Sequence, residues 1–529
     1  MAIIDFFDRG WRINPSGTAY IQDEQRYSFD QVGALSCRIA HALLATGLPK
    51  ESKGAVWAGN DVTAWACTLG LWRANMCWIP VGARNADDEN QYLLDAFDCE
   101  ILFFQAQFAP VVAALQPRLP KVRHWICIDP AAGAQPSAAT EVPGAVSLAD
   151  WITGQPDTRP AVHYDPDDVI MLSATGGTTG KPKGVMNTHR STQTFCAHFM
   201  MTCTYGSGEH PVNLAAAPMT HTAGLLSLPC TARGGTVVVL GAPDPAYLLR
   251  AIAGHRVTEL FLPPTVIYRL LERADEVRQY DLSSLRYLMY GAAPMSVEKL
   301  RQAIALFGPV LTGGYGQTEC PASIAYLPPD EHFIDGQLAG DERLSSVGRP
   351  NPLVTVEIMD EANAILPQGR TGEICVRGDL LMKGYYQAPE QTAATIVDGW
   401  LHTGDIGHID ADGYLHITDR KKDMIISGGF NVYPSEAEQV IWSHPAVRDC
   451  AVIGVPDSQW GEAVKAVVEL NAGQHVDAAE LIALCKHKLG SVKSPKTIDF
   501  VASLPRSPVG KVLKKELRQQ YWAGTDRKI

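Results

Sequence analysis

Val169-Ile-Met-Leu-Ser-Ala-Thr-Gly-Gly-Thr-Thr-Gly-Lys-Pro-Lys-Gly-Val185 joins a short apolar run to a segment holding four glycines, three threonines and two lysines. The apolar run Val169-Ile-Met-Leu172, introduced by the turn Tyr164-Asp-Pro-Asp-Asp168, reads as a buried strand. Glycines let backbone N–H groups approach an anion, threonines add hydroxyls, and lysines add charge, a combination suited to a polyphosphate. The carboxyl end of a strand is also where open α/β sheets bind ligands. The competing reading is a plain hairpin tip. A P-loop is not a candidate: its first Gly falls on Thr175 here, and its Ser or Thr after the lysine falls on Pro182, which lacks a backbone donor.

Working outward, Phe29 to Leu44 keeps apolar residues at three and four spacing, whereas Ile101 to Phe104 and Val237 to Leu240 are short apolar runs. This alternation predicts an α/β architecture with parallel strands, and residues 130–146, rich in Ala, Pro and Gly, read as a surface loop. Near residue 419 the pattern changes. Gly413 to Thr418 alternates like a strand and is followed by the charged run Asp419-Arg-Lys-Lys-Asp423. Beyond lie a helix opened by Ser435 with Glu438 as its capping partner, strands at Cys450 to Ile453 and Ala463 to Leu470, and a second helix opened by Asp477 with Glu480. The expected organisation is a large domain of αβ-layered subdomains over 1–418, a hinge at 419–423, and a small mobile α+β domain over 424–529.

Of the 529 residues, 45 are Lys or Arg and 57 Asp or Glu, so the chain carries −12 and offers no broad basic face for nucleic acid or anionic lipid. The start, Met1-Ala-Ile-Ile-Asp-Phe-Phe-Asp-Arg-Gly-Trp11, has acids where a secretory signal needs a basic start and an apolar run. No transmembrane segment is expected, because no apolar run reaches about 18 residues. The 12 cysteines are scattered without a CxxC pair, as small core residues of a reducing compartment, which points to the cytoplasm.

Two further stretches place small residues after an apolar strand: Met289-Tyr-Gly-Ala-Ala-Pro294 and Leu311-Thr-Gly-Gly-Tyr-Gly-Gln-Thr-Glu319. They suit a flat ring and an acyl chain lying against backbone, with Glu319 as a hard oxygen ligand for Mg2+. With Pro218-Met-Thr-His221, Gly399-Trp-Leu-His-Thr-Gly-Asp405, Asp419 to Asp423, Ser427-Gly-Gly-Phe-Asn-Val-Tyr-Pro434 and Pro505-Arg-Ser-Pro-Val-Gly-Lys511, they form an ordered series of motifs from 175 to 511. In this the chain resembles the adenylate-forming superfamily, which includes acyl-CoA synthetases, aryl-CoA ligases, firefly luciferase and peptide-synthetase adenylation domains. One departure is that the family's usual Thr-Ser-Gly reads Thr175-Gly176-Gly177.

The resemblance implies a reaction in which ATP activates a carboxylate as an acyl adenylate, releasing pyrophosphate, before the acyl group passes to coenzyme A. It implies that Thr175, Gly176, Gly177, Thr178, Thr179, Gly180 and Lys183 hold phosphate, with Thr178 and Glu319 in the Mg2+ neighbourhood. Tyr315 would stack on adenine, with Gly291, Ala292, Ala293, Gly314, Gly316 and Thr318 around the nucleotide, and Asp405 and Arg420 on the ribose. Lys511 would reach the carboxylate and α-phosphate as a mobile point charge. Lys422 would be the hinge about which the small domain turns, bringing Ser427, Gly428 and Gly429 to coenzyme A.

His221 would gate the acyl pocket, lined by His198, Ala217, Thr222, Ala223, Gly313 and Gly314, with His198 adding one polar contact. The Ala216 to Gly224 segment lacks the aspartate that peptide-synthetase domains use for a substrate ammonium, so an uncharged fatty, aromatic or alicyclic acid is expected. A carrier protein in place of coenzyme A, or oxygen as in luciferase, remains as an alternative acceptor. A monomer or homodimer is expected.

Overall fold

The computed structural model describes residues 1–129, 141–175, 182–220, 222–241, 244–457, 459–506 and 512–522, with Thr222 described in its backbone only. Among these, strands assemble into four larger sheets. In the nine-stranded sheet the adjacent strands Thr236–Val239, Val212–Ala215, Glu259–Leu262, Tyr287–Gly291 and Leu311–Tyr315 are all parallel. In the eight-stranded sheet, Val169–Thr175 lies beside Cys77–Gly82 in parallel and is followed by an antiparallel excursion, Lys183–Thr188, whose outer neighbour is Gly384–Tyr385. The α/β expectation holds. Val169–Thr175 and Cys99–Phe104 contain their expected runs, and Thr236–Val239 ends one residue before Leu240.

The two sheets share one core with the helices between them, drawing on Phe7, Trp65, Trp78, Phe195, Leu226 and Met289. Trp65, Trp72 and Trp78 meet edge to face with ring centroids 5.5 to 6.0 Å apart. The helix Phe29–Ala45 starts where its sequence says: Ser28 Oγ accepts from Gln31 N and Gln31 Oε1 accepts from Ser28 N. All twelve cysteines are buried and unpaired. Among the described residues no helix is long and apolar enough to cross a membrane.

A third, antiparallel sheet carries Val354–Met359, Gly372–Gly378, Trp400–Ile409 and Leu415–Arg420. The last of these runs into the expected hinge segment. Asp419 pairs with Ile406 and Arg420 with Asp405, so the first two residues of the charged run complete this sheet and the turn begins after them. The small domain then builds its own sheet and core around Ile425, Val452, Val464 and Leu481. Its Arg448 reaches Glu272 of the large domain at 3.6 Å.

Neither expected capping box in the small domain forms. The helix Pro434–Trp442 begins before Ser435, whose hydroxyl donates to the Thr418 carbonyl and whose N–H donates to Asp419. Glu438 is buried, accepting from Val452 N at 2.7 Å and from Lys514 at 2.7 Å. Asp477 does precede the helix Ala478–Lys493, but without a side-chain cap bond, and Glu480 faces His444 at 3.3 Å. In each case a tertiary partner takes the side chain that the local motif would have used.

Candidate active site

The glycine-rich segment connects two antiparallel strands, with Thr175 paired to Lys183 across its base. It is a hairpin connection, unlike the strand-to-helix connection of a P-loop; the helix His189–Thr202 starts only after the return strand. Gly176, Gly177, Thr178, Thr179 and Gly180 lie outside the described residues, as do His221, the Thr222 side chain and Lys511.

At the base of this hairpin, Lys183 Nζ stands 4.8 Å from the centroid of the Tyr385 ring. The Tyr385 hydroxyl donates to Glu319 Oε1 at 2.9 Å, and Met382 N donates to the Glu319 carbonyl at 2.8 Å. Burial, with Glu319 beside it, pushes the Tyr385 phenol well up, so it acts as a fixed donor. Tyr385 thus links Glu319 to the base of the glycine-rich hairpin.

Tyr315, at the other end of the Tyr315–Glu319 stretch, is buried and donates to Asp405 Oδ2 at 2.8 Å. Gln317 Nε2 donates to the same oxygen at 2.7 Å and to the Thr403 carbonyl at 2.9 Å. Arg420 Nε lies 3.4 Å from Asp405 Oδ1, so the two expected ribose residues are neighbours across paired strands. Beside them Gly291 closes its strand against Gly314, where a Cβ would come within 2.6 Å of the Gly314 carbonyl oxygen. Ala292 follows at φ 64°, a left-handed position that turns the chain away from the strand end. Ala293, Gly316 and Thr318 fall in the same two turns, Gly316 packed so tightly on Ala322 that a Cβ would meet its backbone at 2.5 Å.

The expected acyl residues divide. Ala217 is held by Asn60, whose Nδ2 donates to its carbonyl at 2.9 Å while Asn60 Oδ1 accepts from Met219 N at 2.7 Å. Ala223 is buried at the start of the helix Thr222–Ala232. Gly313 and Gly314 turn opposite ways: a side chain at Gly313 would meet the Tyr290 hydroxyl at 2.9 Å, and one at Gly314 the Tyr326 ring at 3.1 Å. The two cannot present side-chain positions to one pocket face, because neighbours on a strand alternate. His198 is a further correction. It is fully buried, Leu353 N donates to Nε2 at 3.2 Å, and Nδ1 donates to Ser323 Oγ at 3.1 Å. Both ring nitrogens are used inside the protein, so the polar acyl contact is not available.

In the small domain, Gly428 and Gly429 turn at φ 58° and 83° between the strands Ile425–Ser427 and Phe430–Val432, with Ser427 buried. Trp460 lies against Gly428, where a Cβ would come within 2.6 Å of the indole. Lys422 is exposed in the turn, where its carbonyl accepts from Arg518. The segment carrying Lys511 is a second hairpin connection, closed by Leu513 N donating to the Pro505 carbonyl at 2.8 Å and by the Arg506 and Val512 bridge. Arg506 and Asp449 are electrostatic neighbours of Tyr268, whose hydroxyl accepts from Ser296 N at 3.2 Å just beyond Pro294.

Of the residues singled out in the sequence, Asp405 and Arg420 face each other across paired strands, and Glu319 and Lys183 are joined through Tyr385. Tyr385, Gln317 and Asn60 were not singled out. Gln317 stands inside a quoted motif, but Tyr385 and Asn60 act on residues far along the chain and carry no local signal.

Residues 7–386 match the AMP-binding enzyme family and residues 436–511 the AMP-binding enzyme C-terminal domain. The chain is 40% identical over 433 residues to the medium/long-chain-fatty-acid CoA ligase FadD8 of Mycobacterium tuberculosis, covering 80% of this chain and 72% of that one. It is 34% identical over 513 residues to a feruloyl-CoA synthase of Amycolatopsis sp, covering 96% and 97%. Among solved structures, the amide bond synthetase McbA of Marinactinospora thermotolerans superposes with a TM-score of 0.86 at 32% identity, covering 98% of this chain and 100% of that one. The chain therefore belongs to the AMP-binding enzymes, within the adenylate-forming superfamily of acyl-CoA synthetases.

Proposed function

We propose that the protein is an ATP-dependent acyl-CoA ligase for an uncharged fatty, aromatic or alicyclic acid. The observation that carries this reading is the Tyr315–Glu319 segment, which binds Asp405 at one end and, through Tyr385, meets Lys183 at the other. In this reading the segment ties the ribose residue Asp405 to the phosphate residue Lys183. The carboxylate of the acid attacks the α-phosphorus and pyrophosphate leaves; the thiol of coenzyme A then attacks the acyl carbon and AMP leaves. A carboxylate meeting a polyanion needs positioning and charge compensation above all.

In this reading the 175–184 hairpin grips the β- and γ-phosphates, Tyr315 and Gly291 to Ala293 take the adenine, and Asp405 with Arg420 the ribose. Among the described residues no group of three His, Cys, Asp or Glu side chains is placed to hold a metal ion. Glu319 is a single hard-oxygen donor, which fits Mg2+ carried largely by phosphate and water, with Thr178 as the second residue expected at the ion, which would offset charge on the leaving pyrophosphate. Lys511 in this reading serves the first half-reaction; the flanking Arg506 lies near Tyr268 of the large domain.

Pyrophosphate release from Mg-ATP across fatty, benzoic, cinnamic and alicyclic acids, each with and without coenzyme A, tests the reading. Release confined to one acid class and sustained only by coenzyme A supports it. Turnover that ignores coenzyme A but responds to an amine, a carrier protein or oxygen would overturn the acceptor. Lys511→Ala is expected to lower adenylate formation by about a thousandfold, as loss of a positioned transition-state charge does.

A further inference from the structure

We propose that Glu373 is a positioning residue that ties the Asp405 bulge to the hinge, so that nucleotide binding at one is felt at the other. The inference rests on the ribose role of Asp405 given above. Pairing between Gly372–Gly378 and Trp400–Ile409 slips between Glu373 and Cys375: Glu373 stands opposite Ile406, and Cys375 opposite His402. Thr403, Gly404 and Asp405 therefore bulge against the Gly372–Gly378 strand, with Gly404 at φ 70°, while Asp405 stays paired with Arg420 on its other side. The bulge is what presents Asp405.

Glu373, 8% exposed, occupies the centre of this bulge. Its Oε1 accepts from Gly404 N at 3.0 Å, and its Oε2 accepts from His402 Nδ1 at 3.2 Å and from Lys421 Nζ at 3.1 Å. Lys421 N in turn donates to the Gly404 carbonyl at 2.8 Å. Thr403 Oγ1 closes the other side, donating to the Ile374 carbonyl and accepting from Asp405 N. One carboxylate thus joins the peptide before Asp405 to the residue before Lys422.

Burial works against the Glu373 charge, but the bonds from His402 and Lys421 outweigh it and hold the carboxyl below its ordinary range. Cys375 Sγ lies 3.5 Å from His402 Nδ1, which gives the cluster the outline of a nucleophilic triad. The thiol is fully buried, however, and desolvation pushes it up to about 12, so no thiolate forms there. A buried carboxylate is a costly way to close a bulge that backbone groups could close alone. Its partner Lys421 is half-exposed and leads directly into the turn from which the small domain hangs.

Three measurements test the link: calorimetric AMP binding, thermal unfolding, and the rate of tryptic cleavage at Arg420 to Lys422 with and without AMP. Wild-type protein is expected to bind AMP and to be slowed in hinge cleavage by it. Glu373→Gln is expected to bind about tenfold more weakly and to lose that protection. Lys421→Met, which leaves the buried carboxyl in place, should weaken AMP binding similarly, and the double variant should be no weaker than either single one, as members of one linkage behave. If Glu373→Gln unfolds, Lys421→Met alone decides. Wild-type protein that fails to bind AMP would defeat the ribose reading itself, whereas wild-type binding that both variants retain would overturn the link while leaving that reading intact.

Discussion

At Tyr385 one side chain makes two contacts that can be separated: its hydroxyl holds Glu319, and its ring carries the Lys183 ammonium. Tyr385→Phe removes the first and keeps the second. A hydrogen bond to a charged acceptor contributes about 1.5–3 kcal/mol. The variant should therefore need roughly 10- to 100-fold more Mg2+ for half-maximal pyrophosphate exchange, with a thermal midpoint within a few degrees of wild type; an unchanged Mg2+ requirement would exclude the orienting role. Glu319 could be picked out in the sequence because it closes a run of small residues after a strand, a pattern with its own physical reason, whereas Asp405 came only from the resemblance of its motif to the family's. Tyr385 could not be picked out, since it acts from 66 positions away and nothing near it marks the partner. At His198 the limit is different: its distance along the chain from the glycine loop suggested the pocket, but could not say which partners its two nitrogens would find.

Among the elements, the short strand Ala325–Leu327 sets a boundary. Its Tyr326 stands opposite Gly314, with one face against the position of the missing Cβ and the other on an open groove of about 910 Å3, lined also by Tyr287, Phe307, Val310 and Pro328. The Tyr326 hydroxyl is buried without a partner. Tyr326→Phe should consequently be neutral or stabilise by up to about 1 kcal/mol in thermal or denaturant unfolding. Tyr326→Ala should cost about 3–5 kcal/mol of stability and join the Gly314 face to the groove. Pyrophosphate exchange with acids of increasing length should then shift toward longer chains by tenfold or more; an unchanged length profile would mean that Tyr326 bounds nothing the substrate reaches. Central strands such as Val169–Thr175 were legible because burial on both faces leaves an unbroken apolar run. The cap at Ser435 was not, because its partners Thr418 and Asp419 and Glu438's partner Lys514 lie outside any local window, nor was the one at Asp477, where Glu480 faces His444.

For the molecule as a whole, acid should be damaging. His189, His198 and His332 are buried, and desolvation pushes each down to about 4. Between about pH 6.5 and 4 the unfolded chain takes up protons that the folded one refuses, so stability falls as pH falls through that window, by at most about 3 kcal/mol per histidine. Calorimetry should show the thermal midpoint dropping steadily from pH 6.5 to 4.5, and a flat profile would contradict it. At the hinge, the bonds of the turn come from Lys421, Asp423 and Met424 N–H groups, so a proline at 422 displaces none of them. Lys422→Pro should keep adenylate formation and lose thioester formation, and equal loss of both in single-turnover assays would refute a hinge at that position. Finally, the glycine-rich hairpin is completed by the strand Gly384–Tyr385, which closes the free edge of Lys183–Thr188. At about 5–20 residues per second, a ribosome needs roughly 10–40 s to make the stretch between them. Throughout that interval the emerging chain displays an unpaired edge beside its most glycine-rich loop, open to a strand from another nascent chain, with the Lys183 ammonium as its guard.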